Sequence, residues 1–184
     1  MPNLTHFNAK ICLTAAGLLL HEQRVLLVKH KKLGIWLAPG GHIEADELPH
    51  QAAEREFWEE AGIKVQAIDL LQPIADEGST DERLPRPIVS DLHWVSRENY
   101  DARLKSADPN SRVTTTLWPR GCEQHFGAVY LVKPVDSVQF TANTEESTGI
   151  DWFTLDQVQQ LTETNDEIKA EVRLAFELVK KVTF

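Results

Sequence analysis

Residues 41–63 read GHIEADELPHQAAEREFWEEAGI, an acidic helical segment directly behind the glycine pair Gly40-Gly41. Glu56, Glu59 and Glu60 fall at i, i+3 and i+4. At about 3.6 residues per turn they share one face of a helix. Like charges held that close cost stability unless something positive stands among them. A hard divalent cation is the natural neutraliser, and magnesium suits carboxylate, carbonyl and phosphate oxygens. The bland alternative is a solvated acidic helix face, so the residues around the three glutamates have to decide.

Those residues divide the helix into two jobs. Ala52 and Ala53 lie one turn before Glu56, and their small side chains let another backbone approach the acidic face. Phe57 points about 100° away from Glu56 and should dock the helix into a core. Trp58 is assigned no role beyond edge packing. Glycine at 40 and 41 permits unusual backbone angles and close approach.

The segment has the form G-x5-E-x7-R-E-U-x-E-E-x-G-U, with U apolar, and it resembles the Nudix box. The matching positions are Gly41, Glu47, Arg55, Glu56, Phe57, Glu59, Glu60, Gly62 and Ile63. So many registered positions are far more specific than a lone glycine motif. The resemblance implies an α/β protein with the Nudix fold, a mixed β-sheet sandwiched between helices. It also implies a hydrolase that cleaves the phosphoanhydride of a nucleoside diphosphate linked to another moiety. Glu56, Glu59 and Glu60 would bind Mg2+, with Mn2+ as a substitute, and Gly41 would lend its carbonyl oxygen. Arg55 and Glu47 would pair and brace the site without touching substrate. The general base would be a box glutamate such as Glu56 or a carboxylate from a later loop. Glu145 and Glu146 precede GIDWF, and a related family pattern favours Glu146 ahead of Trp152-Phe153.

The 184 residues suit one domain, with a long insertion-like connection at about 76–123. A charged fraction of 26% against an apolar fraction of 42% describes an ordinary folded protein rather than a disordered one. The formal charge of −9 argues against nucleic-acid polymers and anionic membranes, though a small phosphate substrate at a cationic site is not excluded. Cys12 and Cys122 are far apart in sequence and form no C-x-x-C pair. They read as reduced thiols in a cytoplasmic protein. Lys10 followed by ICLTAAGLLL imitates a secretory signal, but an apolar segment resumes after HEQR, so two strands joined by a turn are the better reading.

Alternation places strands at Ile11–Leu20, Val25–Lys29, Val65–Leu71, Ile88–Val95, His125–Val132 and Ile150–Phe153. The box helix should run from about Glu47 to Ala61, with Gly62 as a left-handed cap. Thr154 can cap a helix over Leu155–Leu161. A last helix from near Asn165 presents Ile168, Val172, Phe176 and Val179 as a packing stripe. Asn99–Ser111 reads as loop, within a stretch punctuated by Pro73, Pro85, Pro87, Pro109 and Pro119.

Cations near a diphosphate would come from Lys29, Lys31 and Lys32 beside the glycine turn, or from Arg83, Arg86 and Arg120 flanking the middle connection. Of these, Lys31, Arg83 and Arg86 are the substrate-binding candidates. Trp36, Trp94, Trp118 and Phe126 are candidates for base stacking, and His93 and His125 for phosphate contact, each with core packing as the ordinary alternative. The partner is a small nucleotide-type molecule. The sequence is silent on oligomeric state and admits a homodimer. Two rivals are a catalytically silent ligand sensor and an isomerase on the same scaffold, the latter needing an acid–base pair such as Cys122 or His125.

Overall fold

The computed structural model describes residues 9–70, 83–106, 121–141 and 143–182. Pro73, Pro109, Trp118, Pro119, Arg120 and the corresponding parts of the middle connection lie outside them. An eight-stranded mixed sheet organises the chain. The first strand, β1 (Ile11–His21), turns through Glu22 and Gln23 into antiparallel β2 (Arg24–His30). Short β3 (Trp36–Leu37) pairs with β2, and β4 (Gly40–His42) pairs with β1 in the register Ala15↔Gly41 and Thr14↔His42.

The box helix, α1 (Pro49–Ala61), begins two residues later than its acidic pattern suggests. Proline suits the first helical position because its missing N–H has no partner there anyway. Gln51 turns back to accept from the Leu48 N–H. At the other end Gly62 adopts φ 68, the left-handed cap expected of it, and donates to the Trp58 carbonyl.

Beyond it, β5 (Val65–Ala67) is shorter than the predicted strand and pairs with one end of β7 (Gln124–Pro134). β6 (Val89–Trp94) lies antiparallel to β7, and β7 runs parallel to β1 from Ile11↔Gln124 to Leu19↔Val132. Between β6 and β7 the predicted loop at Asn99 is instead a helix, α2 (Arg97–Lys105), capped by Ser96 Oγ accepting from the Asn99 N–H. Its buried residues are polar, Asn99 and Arg103, so no apolar period marked it.

β8 (Ser147–Thr154) pairs with β2 and leads into α3 (Leu155–Gln160), where Thr154 and Gln157 cap each other reciprocally. The chain then forms α4 (Asp166–Val182).

Alternation along the strands splits the interior into two layers. On one face α1 packs Ala52, Ala53, Phe57 and Ala61 against Ala15, Leu19, Ala128, Tyr130 and Val132. On the other, α3 and α4 place Val158, Val172, Ala175 and Phe176 on Leu18, Leu27, Val129 and Leu131, and the predicted stripe of Ile168, Val172, Phe176 and Val179 all belongs to this layer. Among the described residues, no helix is long and apolar enough to cross a membrane.

Cys12 and Cys122 form a disulfide, with Cα atoms 5.8 Å apart, which corrects the reduced-thiol expectation. Their separation of 110 residues hid a proximity that parallel pairing of β1 and β7 creates.

Candidate active site

Each box carboxylate acquires a distinct environment from the way α1 lies under β4. Glu60 is 4% exposed, and its Oε2 accepts the Gly40 N–H at 3.1 Å. Burial lifts its carboxyl to about 8, helped by the charges of Glu56, Glu146 and Glu59 and opposed by that hydrogen bond. Glu56 is also pushed up by burial, against the pull of Arg55. Glu59 is more exposed.

Gly41 passes directly over Glu56. A Cβ at position 41 would put all three terminal atoms of the Glu56 carboxyl group within 2.7 Å, so any larger residue would push that carboxyl out of its present place. The result is a desolvated set of mutually repelling oxygens packed beneath a side-chain-free strand, an all-oxygen donor set that fits a hard divalent cation.

Arg55 holds this arrangement together. Its Nε and Nη2 donate to the two oxygens of Glu47 at 2.8 and 3.0 Å, and Nη2 also donates to the His42 carbonyl at 2.9 Å. Its Nη1 reaches Glu56 at 2.7 Å and Glu59 at 2.9 Å. Glu47 raises the Arg55 pKa more than any other partner, and Arg55 in turn holds Glu47 below the usual carboxylate range. One guanidinium therefore ties loop, strand and helix together. The Arg55–Glu47 pair forms as expected, but Arg55 also touches two of the three clustered carboxylates.

Glu146 lies on the exposed loop before β8, close enough for its charge to raise both Glu56 and Glu60. That loop hangs from the end of α1. The Thr141 N–H donates to the Ala61 carbonyl at 2.8 Å and the Asn143 N–H to the Glu60 carbonyl at 3.1 Å. Lys31 borders the same loop, its N–H donating to the Glu146 carbonyl at 2.9 Å and its Nζ 3.5 Å from the carbonyls of Thr144 and Glu145. The structure thus brings together Gly41, Glu47, Arg55, Glu56, Glu59 and Glu60, with Glu146 and Lys31 on their border.

The two arginine candidates stand differently. Arg86 grips Asp69 with two hydrogen bonds of 2.7 and 2.9 Å, and Arg83 is exposed ahead of β6. Lys29 pairs with Glu163 at 2.8 Å. Trp36 packs edge-on against Phe153, and Trp94 against Tyr100, while Phe126 is exposed. His93 hydrogen-bonds Asp91. Cys122 and His125, the acid–base pair that an isomerase would need, belong to the far side of the sheet, because Cys12, its partner His125 and Thr14 alternate with the α1-facing Ala15.

Sequence reasoning missed two contributors to the site, the Gly40 N–H on Glu60 and the His42 carbonyl on Arg55. Both are backbone groups. The only signal for them was the glycine pair itself.

The NUDIX domain model matches residues 11–174. A MutT-like protein of Streptomyces ambofaciens is 39% identical over 126 residues, spanning 68% of this chain and 75% of the relative. Phosphatase NudJ of Escherichia coli is 44% identical over 55 residues, 29% of this chain and 36% of that protein. A NUDIX-family hydrolase of Clostridium perfringens superposes with a TM-score of 0.64 at 24% identity, over 92% of this chain and 97% of the other. A MutT protein of Methanosarcina mazei Go1 gives 0.61 at 14% identity, over 92% and 96%. These structural likenesses speak to the fold, and the sequence matches speak to the family. The chain belongs to the Nudix hydrolases.

Proposed function

We propose that this chain is a magnesium-dependent hydrolase that cleaves a phosphoanhydride in a nucleoside di- or triphosphate derivative. The observation that carries the reading is the buried carboxyl of Glu60 beside the part-buried Glu56, with the exposed Glu59 one turn from Glu56, under the bare strand at Gly41. Desolvating one carboxyl and half-burying a second beside it is costly unless positive charge compensates them. Glu56, Glu59, Glu60 and the Gly41 carbonyl would hold the cation, which when bound supplies charge neutralisation for phosphate oxygens.

The remaining work falls to the chain. Arg55 restrains Glu56 and Glu59 through one guanidinium nitrogen, and the Gly40 N–H restrains Glu60. Glu146 takes the proton of the attacking water, because it is exposed at the rim while Glu56 is already engaged by Arg55. Water attacks phosphorus, the P–O bond to the leaving phosphate breaks, and two phosphate-bearing products depart. Lys31 steadies the distal phosphate. Arg86 reaches substrate only by exchanging Asp69 for phosphate, and Arg83 stands exposed ahead of β6. The enzyme's partner is a small nucleotide-type molecule, and the cytoplasmic placement expected from reduced thiols loses that support with Cys12 and Cys122 joined.

The test is turnover with magnesium across nucleoside triphosphates, nucleotide sugars and dinucleoside polyphosphates, read as phosphate after coupled phosphatase. Metal-dependent release with at least one class supports the reading, and light scattering on the same sample reads the oligomeric state. Absence of release across the panel would favour a ligand sensor on the same fold.

A further inference from the structure

Behind the carboxylates, on the α4 side of the sheet, stands a second group of ligating side chains with different chemistry. Cys12 from β1, Cys122 just ahead of β7 and His42 at the end of β4 place their ligating atoms within 4.8 Å of one another. His42 Nε2 is 3.4 Å from Cys122 Sγ. His125 is the β-partner of Cys12, and its ring centroid is 5.0 Å from that of His42.

We propose that, when Cys12 and Cys122 are reduced, these two thiolates and His42 form a site for a thiophilic divalent cation of the zinc type, with His125 next to the fourth position. Disulfide and metal are then alternative occupants of the same two sulfurs.

The geometry suits tetrahedral coordination. With metal–sulfur arms of about 2.3 Å and a metal–nitrogen arm of about 2.0 Å, a sulfur–nitrogen edge comes to roughly 3.5 Å. The observed 3.4 Å between His42 and Cys122 already matches it. The two sulfurs need only separate to an edge of ~3.8 Å, within the reach of side-chain rotation from fixed backbones. Those backbones are fixed. β1 carries Cys12 within a continuous ladder to β7. The Cys122 carbonyl accepts from Asn99 Nδ2 at 3.3 Å, and the next residue, Glu123, is clamped by buried Arg103 and by the Lys10 N–H. His42 is held through its carbonyl by Arg55. Cys12, His42 and His125 are only partly buried, so an ion can enter.

Two sulfurs and an imidazole select a softer ion than the all-oxygen group on the opposite face, so the two sites need not compete for one metal. Interconversion balances simply. A dithiol donor gives two electrons and two protons to the disulfide and leaves as its own disulfide. The cation then displaces the two thiol protons.

Cobalt substitution tests this in the whole protein. The chain is reduced with a phosphine, desalted without oxygen and titrated with Co2+. One equivalent should produce a sulfur-to-cobalt charge-transfer absorption with tetrahedral d–d bands, and Zn2+ should bleach both. The box glutamates, offering only oxygen, cannot give that charge-transfer signal. The oxidised protein should give none, and His42→Ala should weaken cobalt binding by roughly tenfold or more. Absence of the charge-transfer band in the reduced wild-type protein would overturn the proposal, as would a band equally strong in oxidised and reduced protein. An unchanged titration in His42→Ala would overturn the ligand set. The decisive reading uses the wild-type chain, so no variant has to fold for it.

Discussion

The two long helices lie on opposite faces of the same sheet and face it with different chemistry. α4 packs through Val172, Ala175 and Phe176, with Glu171 half-buried beside them near Asp91 and His93. α1 presents Phe57 and three alanines on one side and buries a glutamate on the next. Each helix carries one desolvated carboxyl, Glu171 on α4, lifted to about 7 by burial beside Asp91, and Glu60 on α1, lifted to about 8. Glu60 is the one flanked by two more glutamates of its own helix, Glu56 and Glu59. The difference separates the part of the fold that holds the molecule together from the part that is held in place for chemistry.

The sharpest way to break that comparison is to damage α4. Phe176→Ala should cost about 3–5 kcal/mol in denaturant unfolding, while the folded fraction keeps its kcat. A specific-activity loss beyond the loss of folded protein would remove the distinction. On the other face, Glu60→Gln should lower kcat/KM on the order of 100-fold or more, with thermal stability kept or improved. Unchanged turnover would take Glu60 out of the metal site.

The pH dependence sharpens the contrast. The Glu60 carboxyl is raised from 4.5 to about 8 in the folded, metal-free chain. Folding therefore favours the protonated form. The stability from this group is complete at pH below 4.5 and is lost as pH rises through about 8. Metal-free protein should lose on the order of 1–2 kcal/mol relative to Glu60→Gln across that window, measured as Tm against pH, and Mg2+ should restore it. Parallel Tm curves for the two proteins would refute the buried-charge account.

Arg55→Lys keeps the charge but cannot reach Glu47, Glu56, Glu59 and the His42 carbonyl together, so activity should fall about tenfold to a hundredfold with little change in fold by circular dichroism. The smallest effect belongs to Trp58→Ala. That side chain is 50% exposed with Lys64 over its ring, and its removal should change stability by about 0.5 kcal/mol and leave kcat alone.

What could be read from the chain and what could not divide along the same physical line. Gly62, Thr154 and the α4 stripe were legible because a cap or a 3.6-residue period is a local property. The box carboxylates were legible because their spacing is carried by one helix. The helix α2 escaped because its buried residues are Asn99 and Arg103, whose partners, the Cys122 carbonyl and Glu123, arrive from about 20 residues later. Cys12 meets Cys122 only through strand pairing across most of the chain, and no local pattern encodes that. At the candidate site, the clustering of the box side chains was readable, whereas the hydrogen bonds from the Gly40 N–H to Glu60 and from Arg55 to the His42 carbonyl were not.

The loop carrying Glu146 is suspended from the final turn of α1 by main-chain bonds from Thr141 and Asn143 to the carbonyls of Ala61 and Glu60. Main-chain tethers survive any side-chain exchange, so residues 144–146 can drift in identity while the platform stays level with the glutamates. Changing the length of that loop, by contrast, would lift the rim away from its floor. Evolution of a new substrate preference here would then proceed by repainting the loop rather than by resizing it.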